Sequence, residues 1–209
     1  VMFFHGGYWQ ALHKDTFSFL APSFLAEGIA LVVPTYELCP AVSMSVIADQ
    51  ARRALAWVQD YGPGLLLDAA RIVVAGHSAG GHLAALLAHT GWADPPPLIG
   101  ALSLSGLYDL EPIRLSYLNK ALKMDAAEAR ALSPIHHIKG YAPPLALAVG
   151  GDELAGFHDQ QLDYAAALAK SGVPPKAALT LPNDDHFSVV ERLVDRNAAI
   201  WPVLCDLLG

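Results

Sequence analysis

Short unbroken apolar runs alternate along this chain with longer segments whose apolar residues recur every three or four positions. Val1–Phe4 is continuously apolar, the pattern of a strand buried on both faces. Lys14–Glu27 has helical spacing and stops at Gly28. Ile29–Val33 predicts a second buried strand, ended by Pro34. Ser43–Tyr61 predicts a helix with Val46, Ile47, Ala54, Leu55 and Val58 on its apolar face, closed by Gly62-Pro63-Gly64. Arg71–Ala75 predicts a strand and Ala79–His89 a helix; Leu98–Leu104 and Leu145–Val149 predict two more strands. Phe157–Lys170 is helical, Ala177–Leu181 is a strand, and Phe187–Leu208 predicts a final helix. Continuous apolar strands separated by helices imply a mostly parallel sheet covered on both faces, a three-layer α/β sandwich.

One stretch breaks the rhythm. Residues 106–143 mix polar and apolar positions, with helical patterning at Ser116–Met124 and Ala126–Leu132 and the punctuation Ser133-Pro134. A connection of that length in a compact domain usually has work to do, such as covering a site. The rest reads as one domain over residues 1–209, long enough for a large core.

Composition narrows the classes. Hydrophobic residues make up 54% and charged residues 16%, which excludes a disordered chain. Asp and Glu number 20 against 13 Lys and Arg, with no basic run, so a nucleic-acid surface is not expected. No apolar stretch reaches the length of a membrane span. No basic leader of a signal peptide is visible. Cys39 and Cys205 form neither a disulfide framework nor a CxxC metal pattern, as in a reduced cytoplasmic protein. The histidines show no zinc spacing, so neither metal nor cofactor is expected.

The chemistry gathers at strand ends. Gly76-His77-Ser78-Ala79-Gly80 follows the strand RIVVA and precedes an Ala- and Leu-rich helix, the context in which GxSxG is a nucleophile elbow. Ser78 then sits on a strained turn, with the helix N-terminus aimed at developing negative charge. His5-Gly6-Gly7 after the first strand supplies the other half of an oxyanion hole, so the N–H groups of Gly6, Gly7 and Ala79 converge on one oxygen. The base should follow the last strand, where Asn183-Asp184-Asp185-His186 places His186. The orienting acid should follow the strand LALAV, where Asp152 and Glu153 are adjacent. Spacing from Gly150 selects Glu153, the preferred residue, while the commoner use of the shorter carboxylate favours Asp152. HGG lies third in the usual strand order of this fold. Two earlier strands are therefore expected upstream of Val1, outside the sequence. Without them the edge near Ile29–Val33 would invite pairing, as in a homodimer, or aggregation.

These residues together resemble the kynurenine formamidases, a branch of the α/β-hydrolases. The resemblance covers nearly the whole chain. Its specific parts are HGGYW, Tyr36-Glu37-Leu38-Cys39-Pro40, GHSAGGHLA, Ser105-Gly106-Leu107-Tyr108-Asp109-Leu110-Glu111-Pro112, Leu132-Ser133-Pro134 and His186-Phe187-Ser188-Val189-Val190-Glu191. In that family the triad acid lies four residues before a Phe, and Phe157 places that position at Glu153. The resemblance implies a small-molecule substrate, N-formylkynurenine, hydrolysed to kynurenine and formate in tryptophan breakdown. The substrate ring would stack on Tyr8 or Trp9, unless those rings serve the core. Asn119 and Ser105 are pocket candidates by position, and Arg114 is either a partner for the substrate carboxylate or a solvated surface arginine. A carboxylesterase of the hormone-sensitive-lipase type shares every one of these catalytic residues, and a non-catalytic module on the same scaffold is the alternative outside enzymes.

Overall fold

A computed structural model describes residues 1–89, 98–140 and 142–209. Tyr141, within the 106–143 segment, lies outside the described residues. The strands β1 (Met2–Phe4), β2 (Val73–His77), β3 (Gly100–Leu104), β4 (Leu145–Gly150) and β5 (Ala177–Leu181) form one sheet in that order, every pair parallel. The helices, in chain order, are α1 (Ala21–Ala26), α2 (Met44–Tyr61), α3 (Ala79–His89), α4 (Glu111–Arg114), α5 (Asn119–Leu122), α6 (Ala126–Leu132), α7 (Ala155–Lys170), α8 (Ser188–Glu191) and α9 (Ile200–Leu208).

Successive strand residues point to opposite faces, and the core divides accordingly. Met2, Phe4, Val74, Ala101, Leu147 and Val149 join one cluster with Ile47 and Leu55 of α2, Leu83 of α3 and Tyr164 of α7. Phe3, Val73, Ala75, Leu102, Leu104 and Ala148 join another with Phe24 of α1, Val190 of α8, and Trp201 and Leu204 of α9. Two cores on two faces make the three layers. Every residue of α3 is buried, so this helix lies between the sheet and α2 with no solvent face.

Several expectations need correction. Ile29–Val33 is not a strand of the sheet: Val32 alone bridges Met2, taking a 2.8 Å bond from Phe3 N–H and giving one to the Val1 carbonyl. This run passes the outer edge of β1 half-buried, with Ala30 exposed, and so lacks the second covered face its composition suggested. The final helix is broken between α8 and α9. Asp195 turns the chain by accepting from Asn197 N–H, and Pro202, which has no N–H to give, falls in the first turn of α9, where none is needed. Lys14–Glu27 is split for the same reason: a 3₁₀ turn over Lys14–Leu20 gives way to α1, with Pro22 in its first turn. The predicted face of α2 is also rotated, since Met44, Ala48 and Ala51 are buried with Ile47, Leu55 and Val58 while Val46 is exposed.

The described residues of 106–143 form three short α-helices rather than two, and side chains pin them to the body. Gln160 of α7 accepts from the N–H groups of Tyr108 and Asp109 and donates to the Asp109 carbonyl. Ser133 accepts from Leu110 N–H and donates to the Ala129 carbonyl.

Candidate active site

The C-terminal ends of the parallel strands place the polar side chains, as expected for ligand sites in open α/β sheets. Ser78 follows β2 directly, with φ 56°, a left-handed conformation that is strained for a serine. The strain is held because Ser78 N–H donates to the Leu104 carbonyl on β3 (2.8 Å) while α3 starts at the next residue. The elbow closes only with glycine at 80, because a Cβ there would lie 1.9 Å from the Phe4 carbonyl oxygen.

His186 lies between β5 and α8. Ser78 Oγ–H donates to His186 Nε2 (2.9 Å), and His186 Nδ1–H donates to Glu153 Oε2 (2.6 Å). The Glu153 side chain is fully buried, whereas Asp152 is exposed and meets this loop only through its N–H, bonded to the Asp184 carbonyl. Of the two acids, the one on the imidazole is Glu153. Its Oε1 accepts from Gly150 N–H (2.8 Å) and from the Ser105 hydroxyl. Burial pushes this carboxyl up, but the bonds from His186, Ser105 and Gly150 outweigh it and hold the group below its ordinary value. A carboxylate that stays ionised beside Nδ1–H fixes the tautomer that leaves Nε2 free to accept a proton.

The loop carrying His186 is anchored at several points. Asp184, almost fully buried, is paired with Arg192, and Asp185 accepts from the N–H groups of Phe187 and Ser188. Phe157 of α7 stacks under the imidazole with ring centres 4.2 Å apart. His77, beside Ser78, donates from Nε2 to the His186 carbonyl (2.7 Å).

Gly6, beyond the end of β1, packs against the elbow, while Gly7 (φ 110°) turns the chain toward Ala11. Gly6 approaches so closely that a Cβ would sit 3.2 Å from the Ser78 Cβ and 3.1 Å from the His77 carbonyl oxygen. Tyr36 braces the loop from behind, stacking on His5 (4.2 Å between ring centres) and donating to the His5 carbonyl (2.7 Å). As first residue of α3, Ala79 has an N–H without an intrahelical partner.

The remaining candidates fall differently. Trp9 has no exposed surface and packs edge-on against His82, so it belongs to the core. Tyr8 is half-buried, and burial pushes its hydroxyl pKa up, with Tyr117 and Glu153 adding to the effect. Ser105 lies beneath Glu153 as its support. Asn119 is engaged at both ends of its amide with the backbone of Met124. Arg114 is committed to Glu111 through two bonds. Among the described residues, no group of three His, Cys, Asp or Glu side chains could hold a metal ion, and no helix is long and apolar enough to cross a membrane.

A family model for the α/β hydrolase fold matches residues 1–186. The chain belongs to the α/β-hydrolase family. The kynurenine formamidase of Danio rerio is 34% identical to this hydrolase over 220 aligned residues, which span all of the chain and 72% of the relative. Esterase LipI of Mycobacterium tuberculosis is 29% identical, over 83% of the chain and 61% of the esterase. A crystallised protein of Silicibacter sp. tm1040, described provisionally as a thioesterase, superposes with a TM-score of 0.84 at 34% identity, covering 98% of this hydrolase and 74% of that chain.

Buried histidines give the hydrolase an acid limit. Burial holds the pKa of His77 at about 3 and those of His82 and His89 at about 4, against an ordinary value of 6.5. Their folded-state values are depressed, so below about 6.5 the unfolded chain binds more protons than the folded one. Their contribution is complete above that pH and lost as the pH falls toward 4 and then 3. Each should cost about 1.4 kcal/mol per pH unit within this window. Urea midpoints measured from pH 7 to 4 should fall steeply below pH 6; a flat profile would show that these rings are not held neutral.

Proposed function

We propose that this hydrolase is an arylformamidase that cleaves N-formylkynurenine to kynurenine and formate through an acyl-enzyme on Ser78. The observation that carries the reading is the continuous relay from Ser78 Oγ through both His186 nitrogens to Glu153, at 2.9 and 2.6 Å. His186 takes the Ser78 proton as Oγ attacks the formyl carbon. The oxyanion is met by the N–H groups of Gly6, Gly7 and Ala79, a kind of stabilisation worth about 3–4 kcal/mol per donor. His186 then protonates the departing arylamine nitrogen, and the C–N bond breaks. Water enters, gives its proton to the same imidazole and releases formate, restoring Ser78. An aniline is a better leaving group than an alkylamine, so machinery suited to esters suffices.

The choice of substrate is supported by the similarity to the Danio rerio formamidase across the whole chain. The similarity to LipI supports a second reading, a short-chain carboxylesterase, with the same catalytic residues. Parallel assays of N-formylkynurenine and p-nitrophenyl acetate separate the two. Higher kcat/KM for the formamide, with formate and arylamine released in equal amounts, is the expected result. Ester turnover with an untouched formamide would assign the chain to the carboxylesterases.

A further inference from the structure

We propose that His77 is a positioning residue for the base: its ring N–H grips the peptide carbonyl of His186 and thereby sets the distance between His186 and Ser78. This inference rests on the reading of Ser78 and His186 given above, but not on which acyl compound they cleave.

The geometry is a clamp at two points. Adjacent residues of one strand end hold both ends of the same histidine: Ser78 Oγ bonds the ring at Nε2 (2.9 Å), and His77 Nε2 bonds its carbonyl (2.7 Å). The other anchors of the loop run through Asp184, held by Arg192, and Asp185, which takes the N–H groups of Phe187 and Ser188 within the loop itself. The Asp185 bond to Phe187 N–H holds the peptide unit between His186 and Phe187 from within the loop, whereas the His77 bond ties it to the strand end that carries the nucleophile. Because 77 and 78 are covalently adjacent, any drift of the 183–187 loop that loosens the catalytic hydrogen bond must also stretch this second one. The two rings lie with centres 4.7 Å apart, and Phe157 closes the opposite side.

Two further observations fit a positioning role better than space-filling. A carbonyl can only accept, so Nε2 must carry the proton, and Nδ1 is left buried with no hydrogen-bond partner among the described residues. Such an orphan acceptor costs stability, and a hydrocarbon ring at 77 would avoid that cost. Burial, then the neighbouring His186, keeps His77 uncharged at any working pH, so it donates without setting a second positive charge beside the imidazolium formed during turnover.

The test compares His77→Gln, His77→Asn and His77→Phe in the full chain. A glutamine amide nitrogen reaches the place of Nε2, an asparagine nitrogen reaches only that of Nδ1, and phenylalanine keeps the ring without a donor. Labelling of Ser78 by a fluorophosphonate measures the nucleophile without reference to the natural substrate. Misplacement of a catalytic group by about 1 Å costs on the order of a hundredfold, so His77→Asn and His77→Phe should slow labelling by roughly ten- to a hundredfold. Turnover should fall in kcat with KM little changed. His77→Gln should recover most of the rate, and the thermal midpoint of His77→Phe should not be lowered. Equal labelling of the Phe variant and the unaltered protein would overturn the proposal. So would a Gln variant as slow as the Asn variant, a comparison that holds even if the Phe variant fails to fold. Failure of the function reading looks different: N-formylkynurenine would go uncleaved while Ser78 still labelled at full speed.

Discussion

Ser78→Ala and His186→Ala should each remove about a million-fold in kcat, and the double variant should be scarcely worse than either single one. The near-identity of the three losses is the informative part. Ser78 and His186 share one proton across a 2.9 Å hydrogen bond, so removing either leaves the other without a task. Independent contributions would instead multiply. What survives should be the activity due to binding and to the N–H groups at Gly6, Gly7 and Ala79, which neither substitution touches. The thermal midpoint of Ser78→Ala should stay near that of the unaltered protein, whereas His186→Ala, which uncovers Phe157 and leaves the buried Glu153 without its imidazole partner, should melt lower. A double variant far slower than both singles would show that the two residues act in separate steps and would sink the relay.

Glu153→Gln should cost on the order of ten-thousand-fold in kcat, the size expected when an orienting carboxylate becomes an amide and the imidazole takes the wrong tautomer. Geometry changes little in this substitution, yet the amide nitrogen would face His186 Nδ1 as a donor and force Nδ1 to accept. Nε2 would then hold the proton and could not take one from Ser78. The adjacent Asp152→Asn serves as the control, since that carboxylate is exposed and bonds to nothing in the site through its side chain. Its kcat should change less than about twofold, as for surface substitutions away from a site. Loss of activity in the Asp152 variant with survival in the Glu153 variant would reverse the assignment of the acid. Because Ser105 and Gly150 N–H also bind Glu153, Ser105→Ala should produce a smaller loss of the same kind.

The order of strands and helices was legible because strands buried on both faces read as unbroken apolar runs, a pattern that local sequence carries by itself. β2, α3 and β4 lie close to where that pattern put them, and GxSxG sat where strand met helix. Ile29–Val33 misled for the same reason. Its side chains are those of a core strand, but it runs along the outside of β1, and no feature of five consecutive residues reports which neighbours are present. The broken final helix was readable from Pro202, whose place in a first turn requires a helix start just before it.

Within the site, residues adjacent to motifs were visible and those acting across the fold were not. The contest between Asp152 and Glu153 turned on which side chain points inward, a matter of backbone direction after β4 rather than of composition. Ser105 was singled out for its position after β3, but as a pocket wall; its bond to Glu153 joins two loops 48 residues apart. His77 was hidden by its motif. The second position of GxSxG reads as a variable slot, and the carbonyl that it holds belongs to a residue 109 positions later. Arg192 carried a faint signal: a cation directly after the His186–Glu191 motif, with Asp184 just before that motif, could have been read as an ion pair bracing the loop.

The central claim, that the formyl group passes through Ser78 before water takes it, is tested most directly by partitioning. N-formylkynurenine and p-nitrophenyl formate would be turned over at one fixed concentration of hydroxylamine, with the Ser78→Ala variant as the blank. If both substrates form the same formyl-enzyme, hydroxylamine and water compete only after the leaving group has gone. The ratio of formohydroxamate to formate must then be identical for the two. A ratio that changes with the leaving group would mean that water attacks the substrate itself, and the acyl-enzyme account would be wrong.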